Sequence, residues 1–575
     1  MSYAGKILKV DLNTKTIKPI ELDPRLCKRY LGGEGFGIKI LYDVSEKDVH
    51  PLSSKNPFIL MCGAFAGLPI PASLYGVFAK SPQTNFLGEA FAKGMFAPEL
   101  KYAGYDGIVI FGRAKHPSYI YIEDEEISLF SASDLWGKDT LTTIRELMKR
   151  HKGAQVLCIG PAGENCVSFA CIENDFGRHA GRTGLGAVLG SKNIKAIVVR
   201  GSKSLKVYDE NKFLEELEYI WKEEFSEKTE KYRVYGTPGG VTGINKARAL
   251  PTRNWHGDHV DFVEQISGER MKEELVVKEL ACLGCFVACR KISQVDGNKF
   301  VEGPEYETIY SFGADCLIPD LKKIAELHLF ADLLGIDVIS AGAISAFAID
   351  LFERGIIKKE ELGFELRYGD VEAIKKFLRL VAYREGIGDI FARGIKFAAE
   401  KFKAREIAIH VKGLEPPGYE ARTLESMAIS YAVSRRGACH LRAGAYEIDL
   451  RGGKLSLEEK VREIVHKENL YVLYDSFGIC KFMRRFVDEN YLAKLCRIIL
   501  GWRVYPNQLL EKGAQIVTLA RKYNVREGLT MKDDMLPDRF FEEEVNGKKL
   551  DKKVFLKALK LYYKLRGWDE RGIPR

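Results

Sequence analysis

The chain changes texture once, near residue 207, and that change limits the folds open to it. Before it, short apolar and β-branched runs are separated by turn residues: GKILKVDLN, NPFILMCGAF, GIVIFGRA, SYIYIEDEEISLF, AQVLCIG and KAIVVRG. Such runs read as strands, with helical patches such as TLTTIRELMKRH between them. After it come long segments with apolar residues three and four apart: KFLEELEYIWKEEF, LKKIAELHLFADLL, VEAIKKFLRLVAYR and DIFARGIKFAAEKF. These read as amphipathic helices. A second interruption lies in KGLEPPGYEAR, where Pro416, Pro417 and Gly418 break the helical pattern. At 575 residues the chain is also too long for one core. The expected fold is α+β and multidomain: a β-rich unit over 1–207 followed by mainly helical units over 208–411 and 412–575.

The apolar run PFILMCGAFAGLPIPA, from Pro57, is broken by Gly and Pro and falls short of the ~20 residues a membrane helix needs. The opening MSYAGKILKVDLN lacks the apolar core of a secretory signal. A cytoplasmic protein with no membrane association is expected. In that reducing compartment closely spaced cysteines among the twelve read as metal or cluster ligands. The segment ACLGCFVACRKIS holds three of them, Cys282, Cys285 and Cys289, spaced C-x2-C-x3-C. Such a trio suits zinc or an iron–sulfur cluster.

A cubane cluster needs a fourth thiolate, and an internal similarity nominates it. ELHLFADLLGID (326–337) and NLYVLYDSFGIC (469–480) share the frame D-x-x-G-I, followed by Asp337 in one copy and Cys480 in the other. Cys480 is therefore the candidate fourth ligand. A Gly three residues after an Asp, closing an amphipathic segment, suits a left-handed helix stop or a ligand loop.

The charge of +9 comes from 88 basic and 79 acidic residues without a long basic block, which describes a solvated surface better than a nucleic-acid-binding one. A zinc-binding, nucleic-acid-interacting protein is the remote alternative; it leaves the repeat and Cys480 unexplained. The glycine-rich stretches LGGEGFGIK, AKSPQTNFLGEAFAKGMF and AGRTGLGAVLGSK match neither the dinucleotide fingerprint nor the P-loop. Backbone N–H groups at Gly181, Arg182, Gly184 and Gly186, beside the Arg182 side chain, still suit a phosphate. Two further stretches carry titratable groups: EGPEYETIYSFG, from Glu302, and SRRGACHLRAG, which contains His440.

In this order and spacing, the motifs strongly resemble the tungsten-dependent aldehyde ferredoxin oxidoreductase family, from about residue 3 to beyond Cys480. The resemblance implies two N-terminal sheets forming a base for a tungsten bis-molybdopterin cofactor. It implies a [4Fe–4S] cluster on Cys282, Cys285, Cys289 and Cys480, and no side chain on the tungsten. Asp332, Gly335 and Ile336 would hold one pterin, and Asp475, Gly478 and Ile479 the other, the carboxylates accepting from its amine-bearing edge. Gly94, Arg182, Thr183 and Gly184 would hold the pterin phosphates and a bridging Mg2+. Glu307 would act as general base and His440 as donor to the developing oxyanion. The implied reaction oxidises aldehydes to carboxylic acids with ferredoxin, or a ferredoxin-like subunit, as acceptor, in a homodimer. The same cofactor in a larger complex would instead serve reduction of an aromatic acyl-CoA or a carboxylic acid. Two departures stand out. LPIPASLYGVFAKSP lacks the Arg that many members carry there, and Glu326 and His328 have no evident later His with which to build a dimer-bridging iron site.

Overall fold

The N-terminal runs pair as their alternation requires. A computed structural model describes residues 2–222 and 224–575. Among the described residues, β1 (Lys6–Asp11), β2 (Thr16–Glu21), β3 (Phe58–Cys62), β4 (Tyr75–Lys80), β5 (Leu87–Ala92) and β6 (Gly107–Phe111) form one six-stranded sheet in the order β2-β1-β6-β3-β4-β5. A second holds β7 (Ser118–Glu123), β8 (Glu126–Ser131), β9 (Gln155–Cys158), β10 (Ile172–Asn174), β11 (Arg178–Ala180) and β12 (Ile194–Arg200), in the order β11-β10-β9-β12-β7-β8. Strand β3, FILMC, is buried at every position, as a strand covered on both faces must be.

The C-terminal segments are mainly helical, including Leu321–Leu334, Val371–Tyr383 and Leu457–Phe477. Capping fixes their starts. Asp320 accepts from the Lys323 N–H at 3.1 Å, and Ser456 and Glu459 form a reciprocal capping box, each worth about 1 kcal/mol. KFLEELEYIWKEEF is helical as far as Trp221, in Glu210–Trp221; its residue 223 lies outside the described residues. DIFARGIKFAAEKF is two helices rather than one, Gly388–Ala392 and Ile395–Lys401. Gly394 between them takes φ +92°, outside the helical region. A small antiparallel sheet also lies within the expected helical part: β13 (Val276–Leu280), β14 (Arg290–Asp296) and β15 (Lys299–Glu302). Leu280 pairs with Arg290, so the three-cysteine segment is the loop of a β-hairpin. One apolar core runs from Ala162 to Trp568 and includes Val411, Tyr419 and Ala421, so the chain around Pro416 is packed interior.

The two D-x-x-G-I segments end helices in the same way, with Gly335 at φ +73° and Gly478 at φ +86°. Each helix end meets a glycine of its own sheet. A Cβ on Gly63, just past β3, would fall 2.2 Å from Gly478 Cα, and one on Gly160, after β9, 2.4 Å from the Leu334 carbonyl oxygen and 2.7 Å from Gly335 N. Backbone hydrogen bonds lock both junctions. Ala64 and Phe65 N–H donate to the Ser476 and Phe477 carbonyls at 3.0 and 2.8 Å, and Cys171 N–H donates to the Gly335 carbonyl at 2.9 Å. Carbonyls left over at a helix C-terminus are thus satisfied by loops of the sheets, and the repeat is a helix stop docked twice.

Candidate functional site

The first docked helix end lines a cavity of about 960 Å3 with Asp332 and Ile336, the second segment reaches it through Tyr471 and Lys481, and the walls also include Arg182, Glu307, Tyr419 and His440. Beside it lies a second cavity of about 180 Å3 lined by Cys282, Cys285, Cys289 and Cys480. Lys93 and Arg178 line both. The hairpin loop supplies three thiols, and the residue after the second helix stop supplies the fourth, its N–H donating to the Pro71 carbonyl at 2.9 Å. Among the described residues no trio of His, Cys, Asp or Glu converges closely enough for a single metal ion. Four thiols around a shared cavity of this size suit a polynuclear cluster better than a lone zinc. Burial pushes the Cys285 and Cys289 thiols up to about 12. Burial acts on Cys480 as well, but Lys93, donating to its Sγ at 3.0 Å, outweighs it and holds this thiol below its usual value.

Glu307 sits on the short helix Tyr306–Thr308, which runs into a π-helical turn, Ile309–Ala314; such turns recur at functional positions. Its Oε2 accepts the Gly418 N–H at 3.0 Å, so the Pro-Pro-Gly segment forms part of the site. Its Oε1 stands 3.5 Å from His440 Nε2. Burial pushes Glu307 up to about 8, against the pull of Gly418 and Arg182. Burial, helped by Arg436, Arg182, Arg442 and Lys481, holds His440 well below its usual range. The spacing is that of an ion pair, yet both shifts favour the neutral forms, and we take the pair as uncharged near neutral pH. The two side chains keep 14% and 15% exposure to the cavity, so water and substrate reach them. Tyr419 stacks on Tyr306 and Tyr446 with centroids 5.2 and 4.4 Å apart and lies 5.6 Å from the His440 ring, walling that side with aromatic surface.

The duplicated aspartates differ in their surroundings. Asp332 lines the cavity, 3.5 Å from His179 Nε2 and 3.6 Å from His328 Nε2. Burial pulls His179 down, but the carboxylates of Asp332 and Glu173 outweigh it and hold the imidazole up at about 9. Asp475 is fully buried behind Lys481, which donates to it, and Arg442, at 3.1 Å; these two cations face the cavity in its place. Arg442 also binds Glu89 at 2.8 Å, and Arg435 joins Glu89 to Glu34. The LGGEGFG stretch is thus part of the packing behind Asp475. Ile336 lines the cavity, while Ile479 is core at 3% exposure.

Of the four residues expected around the phosphates, Arg182 faces the cavity, held by Asp337 at 3.1 Å and donating to the Glu415 carbonyl at 2.7 Å. Thr183 and Gly184 are buried beside it in left-handed conformations, with φ +68° and +74°. Gly94, at φ +115°, packs against Asp175. His328 faces inward, and Glu326 is engaged by Lys323 and Lys375 at 3.0 and 3.1 Å, so these two do not form a surface pair. Lys93, Arg178, His179, Arg436, Arg442 and Lys481 belong to the site, although no sequence motif singles them out. Their one signal is adjacency: Arg436 and Arg442 flank His440, Lys481 follows Cys480, and Lys93 precedes Gly94.

Buried polar atoms around the larger cavity, Glu307 Oε1, Arg436 Nε and Arg442 Nε among them, lack a hydrogen-bond partner among the described residues, and Arg178, His179 and Arg182, though each faces a carboxylate, add to its positive lining. Unpaired groups at such a depth are costly unless a ligand completes them. The set fits a large ligand rich in acceptors and negative charge.

Residues 7–201 match the aldehyde ferredoxin oxidoreductase N-terminal domain and residues 215–575 match domains 2 and 3 of the same family. The chain belongs to the aldehyde ferredoxin oxidoreductase family. This oxidoreductase is 37% identical over 596 residues to the tungsten-containing aldehyde ferredoxin oxidoreductase of Pyrococcus horikoshii, covering 99% of this chain and 97% of that protein. It is 33% identical over 616 residues to the aliphatic sulfonate oxidoreductase, WOR-like subunit, of Pyrococcus furiosus, covering 100% and 96%. Among solved structures, this member of the family superposes on the active site complex BamBC of benzoyl coenzyme A reductase with 1,5-dienoyl-CoA. The TM-score is 0.87 at 25% identity, over 100% of this chain and 96% of that one. Among the described residues of the family member, no helix is long and apolar enough to cross a membrane.

Proposed function

We propose that this family member oxidises aldehydes to carboxylic acids in the larger cavity, with ferredoxin or a ferredoxin-like subunit as electron acceptor. The Glu307–His440 pair, on the wall of a cavity that adjoins four converging thiols, carries the reading. Arg182, Asp332, Arg442 and Lys481 would hold a tungsten bis-molybdopterin, with Gly335, Ile336, Gly478 and Ile479 shaping the backbone beneath it and Asp475 anchoring Arg442 and Lys481. Arg182, with the backbone of Gly94, Thr183 and Gly184, would accommodate the pterin phosphates and a Mg2+ ion. Cys282, Cys285, Cys289 and Cys480 would hold a [4Fe–4S] cluster. When bound, the first group supplies a two-electron acceptor and the second a one-electron carrier.

The protein's own part is proton handling and positioning. Converting RCHO and water to RCOOH releases two electrons and two protons. Glu307, once ionised, takes a proton from the water whose oxygen adds to the carbonyl carbon, and the second proton leaves as the carboxylic acid forms and the two electrons pass to the acceptor. Neutral His440 keeps an N–H to donate to the carbonyl oxygen as negative charge develops on it. The Tyr306–Tyr419–Tyr446 stack limits bulk water on that side and so strengthens both interactions. Aldehyde oxidation assayed with a viologen dye, together with elemental analysis of the purified protein, tests the proposal. Dye reduction with about one tungsten and four irons per chain is the expected result; zinc alone, with no dye reduction, would sink it. The likeness to benzoyl coenzyme A reductase supports a second reading, reduction of an aromatic acyl-CoA by the same site, and activity on acyl-CoA without activity on aldehydes would select it.

A further inference from the structure

Lys93 leaves the end of β5 at the wall between the two cavities and faces both. Its backbone is held in place: the Lys93 carbonyl accepts from Asn174 Nδ2 at 3.0 Å, and Asn174 Oδ1 accepts from the Tyr75 hydroxyl at 2.7 Å. Its ammonium lies 3.0 Å from Cys480 Sγ and 5.3 Å from the Phe482 ring centroid. Among the described residues no carboxylate lies within ion-pair distance of Lys93, whereas Arg178, the other cation shared by the cavities, faces Glu302 at 2.9 Å. Lys93 thus has no ion-pair partner among the described residues at this wall, where Glu305, which also lines both cavities, accepts from the Thr237 hydroxyl instead. Lys93 is half-buried, an ammonium taken partly out of water without a carboxylate partner is costly, and the group it meets is the Cys480 sulfur.

We propose that Lys93 sets the reduction potential of the cluster by hydrogen-bonding a ligand sulfur and by opposing the charge gained on reduction. The proposal rests on assigning the four cysteines to a [4Fe–4S] cluster. A fixed positive charge beside a cluster stabilises the more negative, reduced state, and hydrogen bonds to the sulfurs act in the same direction.

The test is a redox titration of the holoenzyme cluster by electron paramagnetic resonance, in wild type, K93R and K93M, with iron counted in each. K93M is expected to shift the midpoint potential to more negative values while K93R stays near wild type. A K93M midpoint equal to wild type, at full iron content, overturns the proposal. If K93M does not retain iron, K93Q decides, since it keeps a donor and loses the charge: a lowered midpoint supports the role assigned to Lys93 and an unchanged one overturns it. The wild-type iron count separately tests the cluster assignment, and a wild-type chain without four irons overturns both.

Discussion

Glu307 Oε1 lies 3.5 Å from His440 Nε2, and among the described residues that oxygen has no hydrogen-bond partner. The other carboxylate oxygen is anchored by the Gly418 N–H, so one lone-pair face is fixed and the other is presented to whatever enters the cavity. A group positioned in this way is poised to accept a proton. Glu307→Gln keeps the size and the Gly418 contact but removes the basic site. Its kcat is expected to fall on the order of 10²- to 10⁴-fold, the usual share of a general base. Tungsten and iron content should stay at wild-type levels, and wild-type turnover in this variant would remove Glu307 from the chemistry.

The pH profile carries a second prediction. Burial raises Glu307 to about 8, so the protonated, inactive form of the base dominates below that pH. Activity should therefore rise with pH through a limb near 8 and level off above it. His440, already deprotonated through this range, adds no descending limb. Steady-state kcat/KM measured between pH 6 and 9.5 checks this, and a flat profile over that window contradicts the assigned base. Glu307→Asp, which retains a carboxylate, should retain a rising limb.

Strands β1, β3, β6, β7, β8, β9 and β12, the helix Leu321–Leu334 and the convergence of Cys480 with the hairpin cysteines were legible because they follow from period, spacing and a repeated motif, whereas β2, β4, β5, β10 and β11 were not, β5 lying inside a stretch whose glycines read as a loop. Nor was the three-stranded sheet around the cysteine loop, since VVKEL and RKISQVD are short and mix charged with apolar residues without the long periodic patterns of the helices that flank them. The charged lining was legible only in fragments. Arg442 and Lys481 gain their meaning from Asp475 behind them, a relation between helix stop, sheet and loop that local sequence does not encode. Gly63 and Gly160 were invisible for the same reason: a missing Cβ matters only when another backbone is seen to approach it.

The cluster ligands can be separated from the remaining cysteines by iron content. Cys480→Ser should lower iron well below four per chain, because a serine oxygen is a poor substitute for thiolate at such a site. Cys166→Ser is the control, since Cys166 is half-buried, lines neither cavity, and among the described residues its Sγ makes polar contacts no closer than 3.9 Å, to the Glu164 and Ala187 carbonyls. Equal iron loss in both variants, or none in Cys480→Ser, contradicts the assignment.

The junction between Gly63 and Gly478 yields a stability prediction whose sign depends on the close approach itself. Gly63 does not occupy the left-handed region, so an alanine there would ordinarily stabilise by about 0.4–1 kcal/mol through the unfolded chain. In this fold its Cβ would sit 2.2 Å from Gly478 Cα and 2.4 Å from Gly478 N, atoms that cannot swing aside as a side chain could. Overpacking of this kind costs about 1–3 kcal/mol, enough to reverse the sign. Gly355, at φ +70° with nothing within 4 Å of the point a Cβ would occupy, supplies the contrast: Gly355→Ala should cost only the left-handed strain, about 1–2 kcal/mol, and leave iron content untouched. Gly63→Ala should instead lower the denaturation midpoint and also reduce iron, because displacing Gly478 moves Cys480 two residues on. Denaturant titration with an iron assay on both variants decides it, and a Gly63→Ala protein as stable and as iron-rich as wild type would show that the two backbones do not meet there.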